Sequence, residues 1–89
     1  MNLTDKSILI TGGTGSLGKA LTSHILKYFN DVKKIIIFSR DEQKQFEMAQ
    51  EYPVSEYPQI RFFIGDIRDF DRLKRAFKGV DYIIHAAAM

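Results

Sequence analysis

Thr11-Gly12-Gly13-Thr14-Gly15-Ser16-Leu17-Gly18 follows the apolar run Ile8-Leu9-Ile10 and leads into a helical pattern carried by Leu17, Leu21, Ile25 and Phe29. Strand, glycine-rich turn and amphipathic helix in that order open a nucleotide-binding βαβ unit. Glycines allow a tight turn and, lacking a Cβ, let an anion approach the main chain. The next helix aims unpaired N–H groups and the positive end of its dipole at the same place. The loop therefore reads as a phosphate site. Two motifs overlap in it. Gly12, Gly15 and Gly18 fit a dinucleotide loop, whereas Gly13 to Ala20 is one residue short of a P-loop. A P-loop needs a hydroxyl at its last position to hold Mg²⁺, and Ala20 supplies only a methyl group.

Working outward, strands and helices alternate. Strands are expected at Ser7–Thr11, Lys34–Phe38, Ile60–Ile64 and Val80–His85. Helices are expected at Ser16 to about Phe29, Asp41 to Tyr52 (stopped by Pro53), and about Asp69 to Phe77. Such alternation implies an α/β fold with a parallel sheet and right-handed crossovers. The expected strand order is 3-2-1-4, a Rossmann-type arrangement, with the ligand crevice where the order reverses. Eighty-nine residues make one small domain, shorter than a complete doubly wound fold with its two mononucleotide halves. The expected organisation is thus the N-terminal part of a dinucleotide-binding domain. The fourth strand then has an open edge, and Ile83-Ile84 has no neighbouring cover.

Composition narrows the function classes. A net charge of +2, from scattered basic residues, gives no nucleic-acid or membrane-surface footprint. No segment approaches the roughly 20 apolar residues of a bilayer span. The chain has no cysteine, which excludes disulfides and thiolate chemistry and suits a reducing cytoplasm.

Further candidate residues fall at the carboxyl ends of the expected strands. Ser39-Arg40-Asp41-Glu42-Gln43-Lys44 comes after the second strand, where an NAD-specific site often carries an acidic residue for the ribose 2′-hydroxyl. Here serine and arginine come first, and an arginine fork suits a 2′-phosphate, with Lys44 one turn further on. The alternative is that Arg40 and Lys44 are simply solvated and Asp41 is a helix-terminal charge. After the third strand, Asp66 can accept from an adenine amine while the Ile67 amide reaches a ring nitrogen; Asp66 can equally bond its own loop backbone. Asp66, Asp69 and Asp71 do not make a convincing metal cluster, because Asp69 and Asp71 sit where helix caps belong. His85 reads as a packed strand-end histidine rather than a base, having no identifiable nucleophile or carboxylate partner. Ala86 to Ala88 leave room for a ribose and pyrophosphate. Phe46, Phe62, Phe63, Phe70 and Phe77 fit the spacing of core residues.

The glycine loop resembles that of extended short-chain dehydrogenases/reductases. The stretch from Ser39 to Met48, together with Phe63-Ile64-Gly65-Asp66-Ile67-Arg68-Asp69 and His85-Ala86-Ala87-Ala88-Met89, is similar to motifs of UDP-N-acetylglucosamine 4,6-dehydratases, in particular the inverting ones that open pseudaminic acid biosynthesis. The resemblance implies a cytoplasmic, homo-oligomeric, NADP-dependent lyase acting on a UDP-sugar in polysaccharide biosynthesis. Hydride leaves the sugar C4 for the cofactor, water is lost across C5 and C6, and hydride returns to C6 with inversion at C5. It further implies cofactor contacts from Gly12, Thr14, Gly15, Ser16, Leu17 and Gly18 at the pyrophosphate. Ser39, Arg40, Asp41, Glu42, Gln43 and Lys44 would serve the 2′-phosphate, Asp66 and Ile67 the adenine, and Ala86 would line the cofactor. Leu17 departs from the phenylalanine common in that family. The family's catalytic lysine, its Tyr-x-x-x-Lys pair and its sugar-binding region match nothing in these residues, so no catalytic residue is assigned and the 89-residue chain alone is expected to be inactive. A related epimerase or reductase, or a non-catalytic NADP-binding module, would share the same loop.

Overall fold

The computed structural model describes residues 2–86. Seven elements alternate along the chain: β1 (Ser7–Thr11), α1 (Ser16–Tyr28), β2 (Lys34–Ser39), α2 (Glu42–Glu51), β3 (Ile60–Ile64), α3 (Phe70–Phe77) and β4 (Tyr82–His85). All strand pairings are parallel and the order across the sheet is β3-β2-β1-β4. This is the expected Rossmann-type half. The chain moves outward from β1 to β3 and then returns past β1 to place β4. Right-handed crossovers therefore put α1 and α2 on one face and α3 on the other.

The alternation of side chains divides the core accordingly. Ile8, Ile10, Ile35, Ile37 and Ile60 pack with Ile25 of α1 and Met48 of α2. Leu9 and Phe38 face the opposite way and pack with Ala76 of α3. All five residues of β1 are buried, as befits an interior strand of a parallel sheet covered on both faces.

Boundaries differ from expectation by a residue or two where a side chain caps or clasps. Asp41 and Asp69 stand just outside α2 and α3 and accept from the backbone N–H groups of Lys44 and Arg72, so both helices begin one residue later. β4 starts at Tyr82 rather than Val80. The Val80 N–H is taken by the Phe77 carbonyl, and Asp81 clasps Ser7 through both its backbone N–H and its carboxylate. The phenylalanine set is not uniformly core. Phe46 is 60% exposed and Phe70 is 75% exposed. On α2 the buried stripe runs through Gln45 and Met48, which turns Phe46 away from the sheet, and Phe70 is the first residue of α3. Among the described residues β3 and β4 are the edge strands, and Tyr82 and Ile83 of β4 are exposed.

Candidate functional site

The turn after β1 hangs from the neighbouring strand: the Gly12 and Gly13 N–H groups donate to the Phe38 carbonyl at 2.8 and 3.4 Å. Its glycines have separate reasons. Gly12 has φ +64°, the left-handed region that glycine enters without cost. A Cβ on Gly13 would lie 2.7 Å from Ile37 Cγ2, and one on Gly18 only 2.4 Å from Gly13 Cα, so α1 is pressed directly onto the turn. Gly15 is under neither constraint. Its φ of −78° is ordinary, and a Cβ there would meet only the Gly12 carbonyl oxygen at 3.4 Å. What its bare Cα leaves open is the cleft.

Helix α1 begins on Gly15 with no side-chain cap and no acidic residue in its first turn. In contrast, α2 and α3 are both capped by aspartate and carry a further acidic residue. Thus the positive end of the α1 dipole and its first N–H groups face the cleft unneutralised by the protein.

That cleft, of about 600 Å³, runs along the carboxyl ends of β1, β2 and β3 and is walled by Gly12, Thr14, Gly15, Ser16, Leu17, Ser39, Arg40, Asp41, Lys44, Asp66, Ile67 and Ala86. These are twelve of the fifteen residues singled out from the sequence. Gly18 lies buried behind the turn as a packing residue. Glu42 and Gln43 sit on the exposed side of α2, where the Gln43 amide donates to Glu47 at 3.4 Å. Phe38, Gly65 and Arg68 complete the wall. Gly65 could have been found as the residue before Asp66: its N–H donates to the Ser39 carbonyl, and a Cβ there would meet Arg72 Cγ at 2.8 Å and Phe38 Cζ at 2.9 Å.

At the far end from the glycine turn the cleft is strongly charged. The Asp66 carboxylate accepts from the Arg68 backbone N–H at 2.9 Å and from the Arg68 guanidinium at 2.7–3.2 Å, with Arg40 Nη1 at 3.7 Å. The Arg68 hydrogen bonds hold the Asp66 carboxyl well below the usual carboxylate range, so it is ionised. The loop-backbone bond open to Asp66 on sequence grounds is therefore made, and it fixes Asp66 as an acceptor on the cleft wall. His85 is exposed rather than packed, and its Nδ1 shares a 2.6 Å hydrogen bond with Thr11 Oγ1. Ala87 and Ala88 lie outside the described residues. Among the described residues no group of three His, Asp or Glu side chains is placed to hold a metal, and no helix is long and apolar enough to cross a membrane. An uncapped helix start, a glycine with no internal reason to be one and a cationic far end fit a dinucleotide along the cleft.

A parallel sheet of order 3-2-1-4 with a glycine turn at the point of reversal defines a Rossmann-type unit. The chain belongs to the family described as "Polysaccharide biosynthesis protein", which matches residues 8–89. It is 57% identical over 84 residues to the UDP-N-acetylglucosamine 4,6-dehydratase (inverting) of Campylobacter jejuni, a match covering 94% of this chain and 24% of that protein. It is 51% identical over 87 residues to a UDP-glucose 4-epimerase of Rickettsia bellii, covering 96% and 25% respectively. The crystal structure of Pen from Bacillus thuringiensis superposes with a TM-score of 0.90 at 42% identity, over 100% of this chain and 27% of that one. A dTDP-glucose 4,6-dehydratase from Bacillus anthracis, solved in complex with NAD, superposes with a TM-score of 0.73 at 26% identity, over 94% and 27%. The chain thus spans about a quarter of the length of the curated relatives it matches.

Proposed function

We propose that this chain is the N-terminal, cofactor-binding part of an NADP-dependent UDP-N-acetylglucosamine 4,6-dehydratase (inverting), a cytoplasmic, homo-oligomeric lyase of polysaccharide and pseudaminic acid biosynthesis. The observation that carries the reading is the polarity of the cleft. The uncapped helix start beside Gly15 and the polar and basic group Ser39, Arg40 and Lys44 line the same cleft. A dinucleotide carries a pyrophosphate for the first and, when phosphorylated on the adenosine ribose, a second anionic group for the other.

In this reading Gly12, Thr14, Gly15, Ser16 and Leu17 cradle the pyrophosphate, and Gly18 keeps the helix close enough for its N–H groups to serve. Ser39, Arg40 and Lys44 receive the 2′-phosphate; Asp41, Glu42 and Gln43 form the helix start behind them. Asp66 and the Ile67 amide meet the adenine, and Ala86 leaves space at the end of β4. The bound cofactor would supply reversible hydride acceptance, and these residues would hold it and set its orientation. The acid–base groups and the UDP-sugar site belong to the rest of the protein. The identity to the Campylobacter dehydratase supports the choice of reaction.

The Rickettsia match supports a second reading, a UDP-sugar 4-epimerase, in which the same cofactor unit serves different acid–base groups. One assay separates the two. Incubation of the complete protein with NADP and UDP-N-acetylglucosamine should yield the 4-keto-6-deoxy sugar nucleotide, with loss of water. Formation of the 4-epimer, without loss of mass, would replace the dehydratase by the epimerase.

A further inference from the structure

Gln45 faces the sheet from α2 and is 5% exposed, although it is a polar residue on an otherwise strongly polar helix. A buried amide is costly unless it is hydrogen-bonded. Its Nε2 lies 3.2 Å from the Ser39 carbonyl, 3.0 Å from Ser39 Oγ and 3.1 Å from the Phe63 carbonyl. Two of these partners are carbonyl oxygens, which only accept, so the side of the amide turned toward them is the NH2 group. The third partner, Ser39 Oγ, must then accept as well. A serine hydroxyl has one proton to give, and at Ser39 that proton is not spent on Gln45.

The place where this happens is the end of the cleft. Ser39 is 7% exposed and forms part of the cleft wall, and its carbonyl also accepts from the Gly65 N–H. One buried amide therefore ties the ends of β2 and β3 together, and the hydroxyl of Ser39, a residue of the cleft wall, keeps its proton for an acceptor other than Gln45. A phosphate ester offers only acceptor oxygens to such a donor, with charge to strengthen the bond. A ribose hydroxyl is a neutral partner and gains less.

We propose that Gln45 is a positioning residue for cofactor choice: through Ser39 it presents a hydroxyl proton to the cleft and so favours a dinucleotide phosphorylated on the adenosine ribose. This inference rests on the NADP reading above. Its test uses the complete protein with Gln45→Leu, Gln45→Glu, Ser39→Ala and the double variant Ser39→Ala/Gln45→Leu. NADPH and NADH affinities are measured by fluorescence titration, and the melting temperature of the cofactor-free protein is tracked alongside. Gln45→Leu and Ser39→Ala should each weaken NADPH about fivefold to tenfold and leave NADH within about twofold. The double variant should be no weaker for NADPH than the worse single one, because both remove the same contact. Gln45→Glu, which sets carboxyl oxygens against the Ser39 and Phe63 carbonyls and removes the NH2 donors, should lower the NADPH:NADH preference at least as far as leucine.

Equal losses for both cofactors, tracking a lowered melting temperature, would make Gln45 a general tie and overturn the proposal. So would additive losses in the double variant. Ser39→Ala keeps two of the three Gln45 acceptors, and unchanged NADPH affinity in that variant overturns the proposal even if the Gln45 variants fail to fold. Wild-type protein that takes up neither dinucleotide would defeat the cofactor reading itself, and this inference with it.

Discussion

Replacing Arg40 by alanine should cost NADP affinity and spare NAD. The Arg40 side chain is 74% exposed at the cleft mouth, with its guanidinium 3.7 Å from the Asp66 carboxylate. Its contribution to a bound phosphate is bounded from two sides. A charge-assisted hydrogen bond contributes about 1.5–3 kcal/mol. Two unit charges about 4 Å apart attract by about 1 kcal/mol in bulk water and by about 4 kcal/mol near a protein surface. High exposure places Arg40 toward the watery limit, and Asp66 competes for the same guanidinium, so the lower part of the range applies. A loss of about 1.5–2 kcal/mol is a loss of about tenfold to thirtyfold in NADP affinity. NAD, which lacks the phosphate, should change by less than about twofold. Calorimetric titration of wild type and Arg40→Ala with both cofactors measures this directly. Repeating it near 1 M salt, where the screening length falls to about 3 Å, should shrink the wild-type preference toward that of the variant. Equal losses for the two cofactors would mean that Arg40 supports the cleft rather than the phosphate, and the NADP assignment would lose its principal residue.

Three other outcomes are expected. The preference for NADP should fall as the pH drops below about 6, where a phosphate monoester loses its second charge, while NAD affinity stays level. Asp66 adds nothing to that change: its lowered pKa keeps it ionised there, and its contribution disappears only when the pH falls through that lowered value, in strong acid. Gly15→Ala should weaken both dinucleotides about tenfold or more while altering stability by less than about 1 kcal/mol, whereas Gly13→Ala, with its Cβ 2.7 Å from Ile37, should destabilise the fold by about 1–3 kcal/mol; thermal melts and titrations on the same variants separate the two effects. Expressed by itself, the 89-residue segment should form no 4-keto-6-deoxy product and should self-associate through the β4 edge. Turnover above blank, or a compact monomer in sedimentation, would contradict this.

Sheet order and cleft location are readable because they depend on alternation and on the residues directly after each strand, both of which survive in a bare sequence. Ser39 and Arg40 come immediately after the β-branched run Lys34–Phe38, and Asp66 comes just after Ile60–Ile64, so the topology alone brings them together. The failures share a different cause. Hydrophobic patterning treats glutamine as surface and phenylalanine as core. On α2 it therefore passes over Gln45, which is buried because its NH2 group has three acceptor oxygens within hydrogen-bond reach, and it places the exposed Phe46 inside. The available signal is register: Gln45 stands three residues before the buried Met48, on the same helical face. Gly18 reads as a ligand contact because a motif cannot distinguish a glycine that admits a ligand from one that admits a neighbouring backbone. The 2.4 Å approach to Gly13 makes that distinction.

The pairing of β1 with β4 has a consequence for how the protein is made. β1 is one of the two interior strands, yet one of its two neighbours arrives late. The two clasps that fasten the ends of this ladder, Ser7 to Asp81 and Thr11 to His85, each span 74 positions. At about 5–20 residues per second, a ribosome needs about 4–15 s to supply the second half of each clasp. Until β4 docks, the β1 edge opposite β2 has no strand partner, and the backbone N–H and C=O groups of Ile8-Leu9-Ile10 on that edge are unpaired. Once β4 docks, a clasp at each end opposes a slip of register, which would turn every β4 side chain to the wrong face. The yield of folded protein should therefore depend on what shields that edge during synthesis, and slowing elongation between β1 and β4 should reduce it more than slowing elongation afterwards.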